Sequence, residues 1–186
     1  TPLPLPGGAT SNPVNVILSS LTNLKFGLNN IQIKAQSGTV QAISSFQVKK
    51  TFCSAGEAGG KLVIKDFSLD NLDGDDDTWS IYDEVELDVE IENSGTVDVD
   101  DVIVELALFS NGNDFADDFD WMTSDETEVD LGDLSDGKEK TAKFRFSVPV
   151  EFAERGNENY MLAVKAYSDD LGQANECVDS DPQELS

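Results

Sequence analysis

The chain has 186 residues, 37 acidic and 12 basic, with a formal charge of −25 and no histidine. This charge argues against a nucleic-acid partner, because phosphate contacts require clustered Lys and Arg. The lack of histidine excludes the Ser-His-Asp triad, the Cys-His pair and His-ligated metal sites. The sequence also lacks a phosphate-binding glycine loop and a nucleophile elbow, so we do not expect an enzyme. No apolar run is long enough to predict a transmembrane helix.

The charge is divided unevenly along the chain. Residues 1–60 carry four lysines against Glu57, a net charge of +3, whereas residues 61–186 carry 8 basic and 36 acidic residues, a net charge of −28. A small, glycine-rich stretch separates the two parts and is typical of a linker. The predicted divisions are a Pro-rich extended arm (1–13), a strand-rich segment (14–53), a linker (54–60), an acidic domain (61–178) and a tail (179–186).

Short apolar runs with a period of two follow the Pro-rich arm. They predict strands, with turns at residues 28–30 and at residues 37–38. A strand-rich segment of this length with few aromatic residues makes a thin core, so we expect it to need a partner surface. The candidate assembly residues are Val14, Val16, Leu18, Ile31 and Ile33.

The acidic domain shows the clearest pattern. In residues 85–92, Val, Leu and Ile alternate strictly with Glu and Asp, and similar alternation returns at 102–108, 142–148 and 160–166. A glycine-containing turn region is predicted at 131–137. Alternating strands separated by turn residues predict an all-β fold, an immunoglobulin-like antiparallel β-sandwich with an N-terminal strand-rich extension.

Three segments carry a resemblance to a known family. They are VELDVEIENSGTVDVDDVIVELALFSNG, DLGDLSDGKEKTAKFRFSVP and NYMLAVKAYSDD, which together lie within residues 61–170. These segments resemble CARDB-type domains, immunoglobulin-like modules of prokaryotic, including archaeal, cell-surface proteins. The resemblance implies an extracellular spacer, adhesion or assembly module and carries over no catalytic residue. Residues 110–130 are longer and more acidic than the family pattern.

The two cysteines, Cys53 and Cys177, are far apart and have no metal-ligand spacing. Joined as one disulfide, they would indicate a protein outside the cytosol. The alternative is two separate thiols.

An aspartate-rich stretch between two predicted strands is a candidate calcium site. Oxygen ligands crowded around a glycine suit Ca²⁺, although the spacing is not that of an EF-hand. The alternative is a solvated acidic turn in an acidic protein. The candidate ligands are Asp70, Asp73, Asp75, Asp76 and Asp77.

A second acidic loop, residues 113–126, mixes carboxylates with aromatic residues. Trp121 in this loop and Trp79 near the first are candidate ligand contacts, whereas we expect Phe119 to pack beneath its own loop.

Two functions follow from these patterns. The first is a structural subunit of an extracellular polymer, a surface filament, pilus or S-layer, in which N-terminal strands are donated to the next copy. The lysines of residues 1–60 would then meet the acidic domain of a neighbour. The alternative is a calcium-dependent adhesin or carbohydrate-binding surface module. Because like-charged copies repel each other, we expect stability and assembly to rise with salt or divalent ions.

Overall fold

The computed structural model describes Leu24 and residues 27–37, 39–53, 61–111, 113–122, 127–155, 160–170 and 176–185. The predicted arm, the candidate residues Val14, Val16 and Leu18, and the predicted linker lie outside these residues. In the described part, the strands are β1 (Gly27–Ser37), β2 (Val40–Lys50), β3 (Leu62–Asn71), β4 (Glu84–Asn93), β5 (Val99–Ser110), β6 (Asn113–Asp114), β7 (Asp120–Trp121), β8 (Glu128–Leu134), β9 (Glu139–Ser147), β10 (Tyr160–Ser168), β11 (Cys177–Asp179) and β12 (Gln183–Leu185). Two short 3-10 helices lie at Ala116–Asp118 and Val150–Arg155. No helix among the described residues has the length and apolar character needed to cross a membrane.

The strands form two facing antiparallel sheets and a separate hairpin. One sheet has the order β3-β4-β9-β7. The other has the order β11-β10-β5-β6, with β12 also paired to β10 and β8 also paired to β5. Strands β1 and β2 pair only with each other among the described strands. The predicted all-β antiparallel sandwich is therefore confirmed.

The core lies between the two sheets and consists of the apolar members of the alternating runs. In β4, the side chains of Val85, Leu87, Val89 and Ile91 are fully buried, while the intervening carboxylates remain partly accessible. The period of two places successive side chains on opposite faces of a strand, which explains this separation. Phe119 also lies in the core and stacks on Phe146, with ring centroids 4.1 Å apart.

Three local predictions differ from the structure. The expected turn at residues 28–30 is wrong, because β1 runs unbroken through it and Asn30 accepts a hydrogen bond from Gln47 on β2. The expected turn region at 131–137 begins too early. Gly132 adopts a φ of +61° at an irregular register inside β8, and the turn follows at 135–138. The predicted tail is partly strand, since β12 pairs with β10 and buries Leu185.

Candidate functional site

The hairpin of β1 and β2 is amphipathic. Residues that pair directly across an antiparallel ladder share one face. Ile31 pairs with Phe46, Ile33 with Ser44 and Ala35 with Ala42, so these residues form an apolar face. The opposite face is mainly polar, with pairs such as Gln32–Ser45 and Asn30–Gln47, but it also carries the exposed side chains of Leu28 and Ile43, which pair with Lys49 and Lys34. We call these the apolar face and the polar face of the hairpin.

The apolar face is accessible in the single chain. Ile33 is 38% exposed and Phe46 is 39% exposed, while Ile31 and Val48 are half-buried. An isolated two-stranded hairpin is at best marginally stable in water. The apolar face therefore has the character of a contact surface, and it includes two of the sequence-predicted assembly residues, Ile31 and Ile33. Phe46, which pairs with Ile31, was not among the predicted residues, although it lies in another of the short apolar runs of this segment.

The base of the hairpin is fastened to the sandwich. A disulfide joins Cys53 to Cys177 of β11, with Cα atoms 6.0 Å apart. The neighbouring Glu176 is buried and receives Lys61, whose Nζ lies 3.2 Å from a carboxylate oxygen. Cys53 and Lys61 flank the predicted linker, so both of its ends are held by the adjacent pair Glu176 and Cys177. Sequence spacing alone does not reveal this second tether.

Phe52 adds a packing contact at the same place. Its backbone N–H donates to Asp179 Oδ2 at 3.1 Å, and its ring meets Phe109 edge-on with centroids 5.4 Å apart. The ammonium of Lys165 lies 4.5 Å from the Phe52 ring centroid and 4.9 Å from that of Tyr167. Segment 51–53 thus lies on the outer face of the six-stranded sheet.

This outer face also changes the acidity of Tyr167. Burial, followed by the charges of Glu128 and Glu105, holds the pKa of the Tyr167 hydroxyl above its ordinary value. The hydroxyl is 3.3 Å from Glu128 Oε1, and Lys165 Nζ is 2.7 Å from Glu105 Oε2. The Tyr167 hydroxyl at the hairpin base therefore keeps its proton in the folded protein.

The hairpin and the sandwich carry opposite charge. Residues 24–53 contain four lysines and no carboxylate side chain. The outer face of the four-stranded sheet instead carries a row of carboxylates on β4, partly neutralised by three cations. Lys65 contacts Glu90, Glu92 and Glu139, Lys143 contacts Asp88, and Arg145 contacts Glu84 and Glu86.

The hydrogen bond between Lys65 and Glu139 raises the pKa of the ammonium and lowers that of the carboxyl. These two groups therefore remain charged over a wider pH range than isolated side chains. The pair reduces, but does not remove, the negative charge of this face.

The aspartate-rich loop is organised around Asn71, which is buried at the end of β3. Its side-chain amide donates to Asp83 Oδ2 at 2.9 Å, and its backbone N–H donates to Asp76 Oδ1 at 3.0 Å. Asp73 Oδ2 accepts the N–H of Glu84 at 2.9 Å. These hydrogen bonds hold the loop closed. Asn71 was not among the predicted site residues, because nothing in its spacing distinguishes it from the neighbouring aspartates.

The predicted calcium ligands do not gather into one cluster in the described residues. Asp70 lies on exposed β3 opposite Glu86, and Asp75 forms a bridge with Thr78. No group of three or more Asp, Glu or Cys side chains within the described part of the chain is placed to hold a metal ion. A calcium site involving Asp77 and its neighbours stays a prediction.

Both tryptophans pack inward. Trp79 lies 5.6 Å from Phe146 between ring centroids, and Trp121 lies 5.1 Å from the same ring. The Trp79 indole N–H donates to the Asp76 carbonyl, and that of Trp121 donates to the Ala116 carbonyl. Their rings pack against the aromatic part of the core and remain partly accessible, so a ligand contact at either tryptophan stays a prediction.

Comparisons with known proteins give little further guidance. No protein-family model matches the chain, and no curated protein matches it. Among solved structures, it is similar to Spo0M, a sporulation control protein from Bacillus subtilis, with 17% sequence identity and a TM-score of 0.37. The alignment covers 68% of this chain and 49% of that one, so the chain spans about half of the Spo0M structure.

Proposed function

We propose that the protein is a structural subunit of an extracellular polymer in which the hairpin of one copy packs against the sandwich of the next. The accessible apolar face of the hairpin carries this proposal. In this hairpin, with eleven residues in each strand, Ile33 and Phe46 remain more than one third exposed in the single chain. A second copy offers a sheet that the hairpin can extend.

The energetics require more than side-chain contacts. Full burial of an Ile or Phe side chain contributes roughly 1.5–3 kcal/mol, so the exposed parts of Ile33 and Phe46 contribute about 1 kcal/mol each. A micromolar contact needs about 8 kcal/mol. Main-chain hydrogen bonds formed by strand addition supply the further interaction. This favours donation of a strand over simple apolar contact.

Charge supports the same head-to-tail contact. The carboxylate-free hairpin suits an acidic neighbour, while two acidic sandwiches repel each other. The Debye length falls from about 8 Å at 0.15 M salt to about 3 Å at 1 M. The repulsion between whole sandwiches is larger than the attraction of a few lysines, so assembly rises with salt.

The disulfide supports an extracellular location, since disulfides persist in oxidising compartments. The alternative of a calcium-dependent adhesin has less support. Trp79 and Trp121 donate their indole N–H groups within the protein, and two of the five candidate calcium ligands, Asp73 and Asp76, accept backbone N–H groups of their own loop.

The test uses two matched variants of the full chain. Ile33→Asp places a charge on the apolar face, and Ser45→Asp places the same charge on the polar face, on β2. Sedimentation velocity between 0.15 and 2 M NaCl should show assembly for the wild type and for Ser45→Asp, and a monomer for Ile33→Asp. Equal assembly of both variants would show that the apolar face takes no part in the contact.

A further inference from the structure

Strand β3 leaves one side of the core partly open. It is the terminal strand of its sheet and pairs only with β4 among the described strands. The inward side chains of β4 are fully buried, whereas Ile64, Phe67 and Leu69 of β3 are only half-buried. An edge of this kind lacks the cover that a further strand supplies.

A groove of about 480 Å³ lies beside residues 63–67 of this strand, between β3 and the strands β11 and β12 of the facing sheet. Its apolar lining includes Ile64, Phe67 and Val178, and its polar lining includes Asp66, Asp179 and Asp181. Lys49 from the base of the chain's own hairpin also borders the groove and lies 3.5 Å from Asp181. The lining is therefore mixed, with apolar side chains beside three carboxylates and the two lysines Lys49 and Lys65.

The two sides of the groove differ as templates for strand addition. Strands β11 and β12 have three residues each and are interrupted at residues 180–182, which include Pro182. Short strands and proline protect a sheet edge from pairing. Strand β3 has ten residues, and its register to β4 is regular from Asp66 to Asn71. The stretch 66–70 is thus the longer and more regular template, since the N–H of Asn71 is already bonded to Asp76.

We propose that the edge of β3 in one copy accepts strand β1 of a second copy, which extends the four-stranded sheet. This rests on the proposed polymer and specifies its acceptor. In this arrangement Ile31 and Ile33 of β1 continue the inner layer and cover the half-buried side chains of β3. The polar face of β1, with exposed Lys34, continues the outer layer beside Asp66 and Asp70.

Complementation between two variants of the full chain tests the acceptor. Ile33→Asp disables the donor, and Phe67→Asp disables the β3 edge. Each variant should be monomeric alone, and an equimolar mixture should give a dimer of twice the monomer mass, because one donor and one acceptor remain. Leu72→Asp, at an exposed apolar residue just beyond β3, is the control and should assemble like the wild type.

Hydrogen exchange tests the same acceptor without the Phe67→Asp variant, which matters if that variant fails to fold. Amides of residues 66–70 that face the free edge of β3 should exchange at least tenfold more slowly in assembled wild type than in monomeric Ile33→Asp at the same salt concentration. Polymers of folded Phe67→Asp, or unchanged exchange at these edge-facing amides in assembled wild type, would overturn the β3 acceptor and leave the proposed polymer standing. A wild type that stays monomeric at every salt concentration would overturn both.

Discussion

Removal of the Cys53–Cys177 disulfide should cost a large part of the stability of the folded chain. The bridge closes a loop with a sequence separation of 124 residues that contains most of the sandwich. The chain-entropy relation for a loop of this length gives about 5 kcal/mol at 25 °C. For a chain of this size each kcal/mol corresponds to about 2–4 °C in Tm, so the double variant Cys53→Ser/Cys177→Ser should melt about 10–20 °C lower.

The contact between Lys61 and Glu176 limits the loss of stability in this double variant. It holds the chain to the residue next to Cys177 and remains when the bridge is gone. The sandwich should therefore stay folded at 25 °C while the hairpin base is held less firmly.

Thermal unfolding followed by circular dichroism measures the change, with the wild type in reductant as a second route to the same state. Both routes should give the same lower Tm. A decrease below about 2 °C in both would contradict the account, since the bridge would then constrain little that the rest of the fold does not already hold.

Three further predictions concern the sandwich. Asn93 is fully buried, donates to the carbonyls of Val97 and Leu134 and accepts the N–H of Gly95, so Asn93→Ala should lower the free energy of unfolding by about 2–4 kcal/mol in urea titrations; a loss under 1 kcal/mol would show that these groups find other partners. Burial raises the pKa of Asp114 in the folded protein. Its contribution to the free energy of unfolding therefore falls as the pH rises from the pKa of an unfolded aspartate through the raised pKa. Asp114→Asn should therefore melt higher than the wild type at pH 7 and equally at pH 3, and a constant difference between these pH values would refute this assignment. The Tm of the wild type should rise between 0.05 and 2 M NaCl because salt screens the net charge of −25, and a flat profile would contradict this view of the carboxylates.

The regular part of the fold follows from the sequence because its signal is local. In β4 each apolar residue is followed by a carboxylate, and this alternation fixes both the strand and its buried face. The two cysteines likewise suggest their pairing, since the described chain has no other sulfur partner for either.

The start of β1, the aspartate-rich loop and the inner side of β3 depend on contacts between distant residues, which sequence spacing does not reveal. The asparagines near the start of β1 predict a turn, but pairing with β2 keeps that strand extended. Asn71 organises the aspartate-rich loop through groups as far along the chain as Asp83, so its role appears only once the loop is folded. The half-buried inner side of β3 depends on which strand lies at the edge of the sheet, which is a property of the topology.

Electron microscopy of the purified full chain at 2 M NaCl with calcium, beside Ile33→Asp under the same conditions, tests the central claim most directly. The account predicts ordered filaments or sheets for the wild type and isolated particles for Ile33→Asp. Isolated particles of the wild type would contradict it and would favour a surface module that binds another molecule.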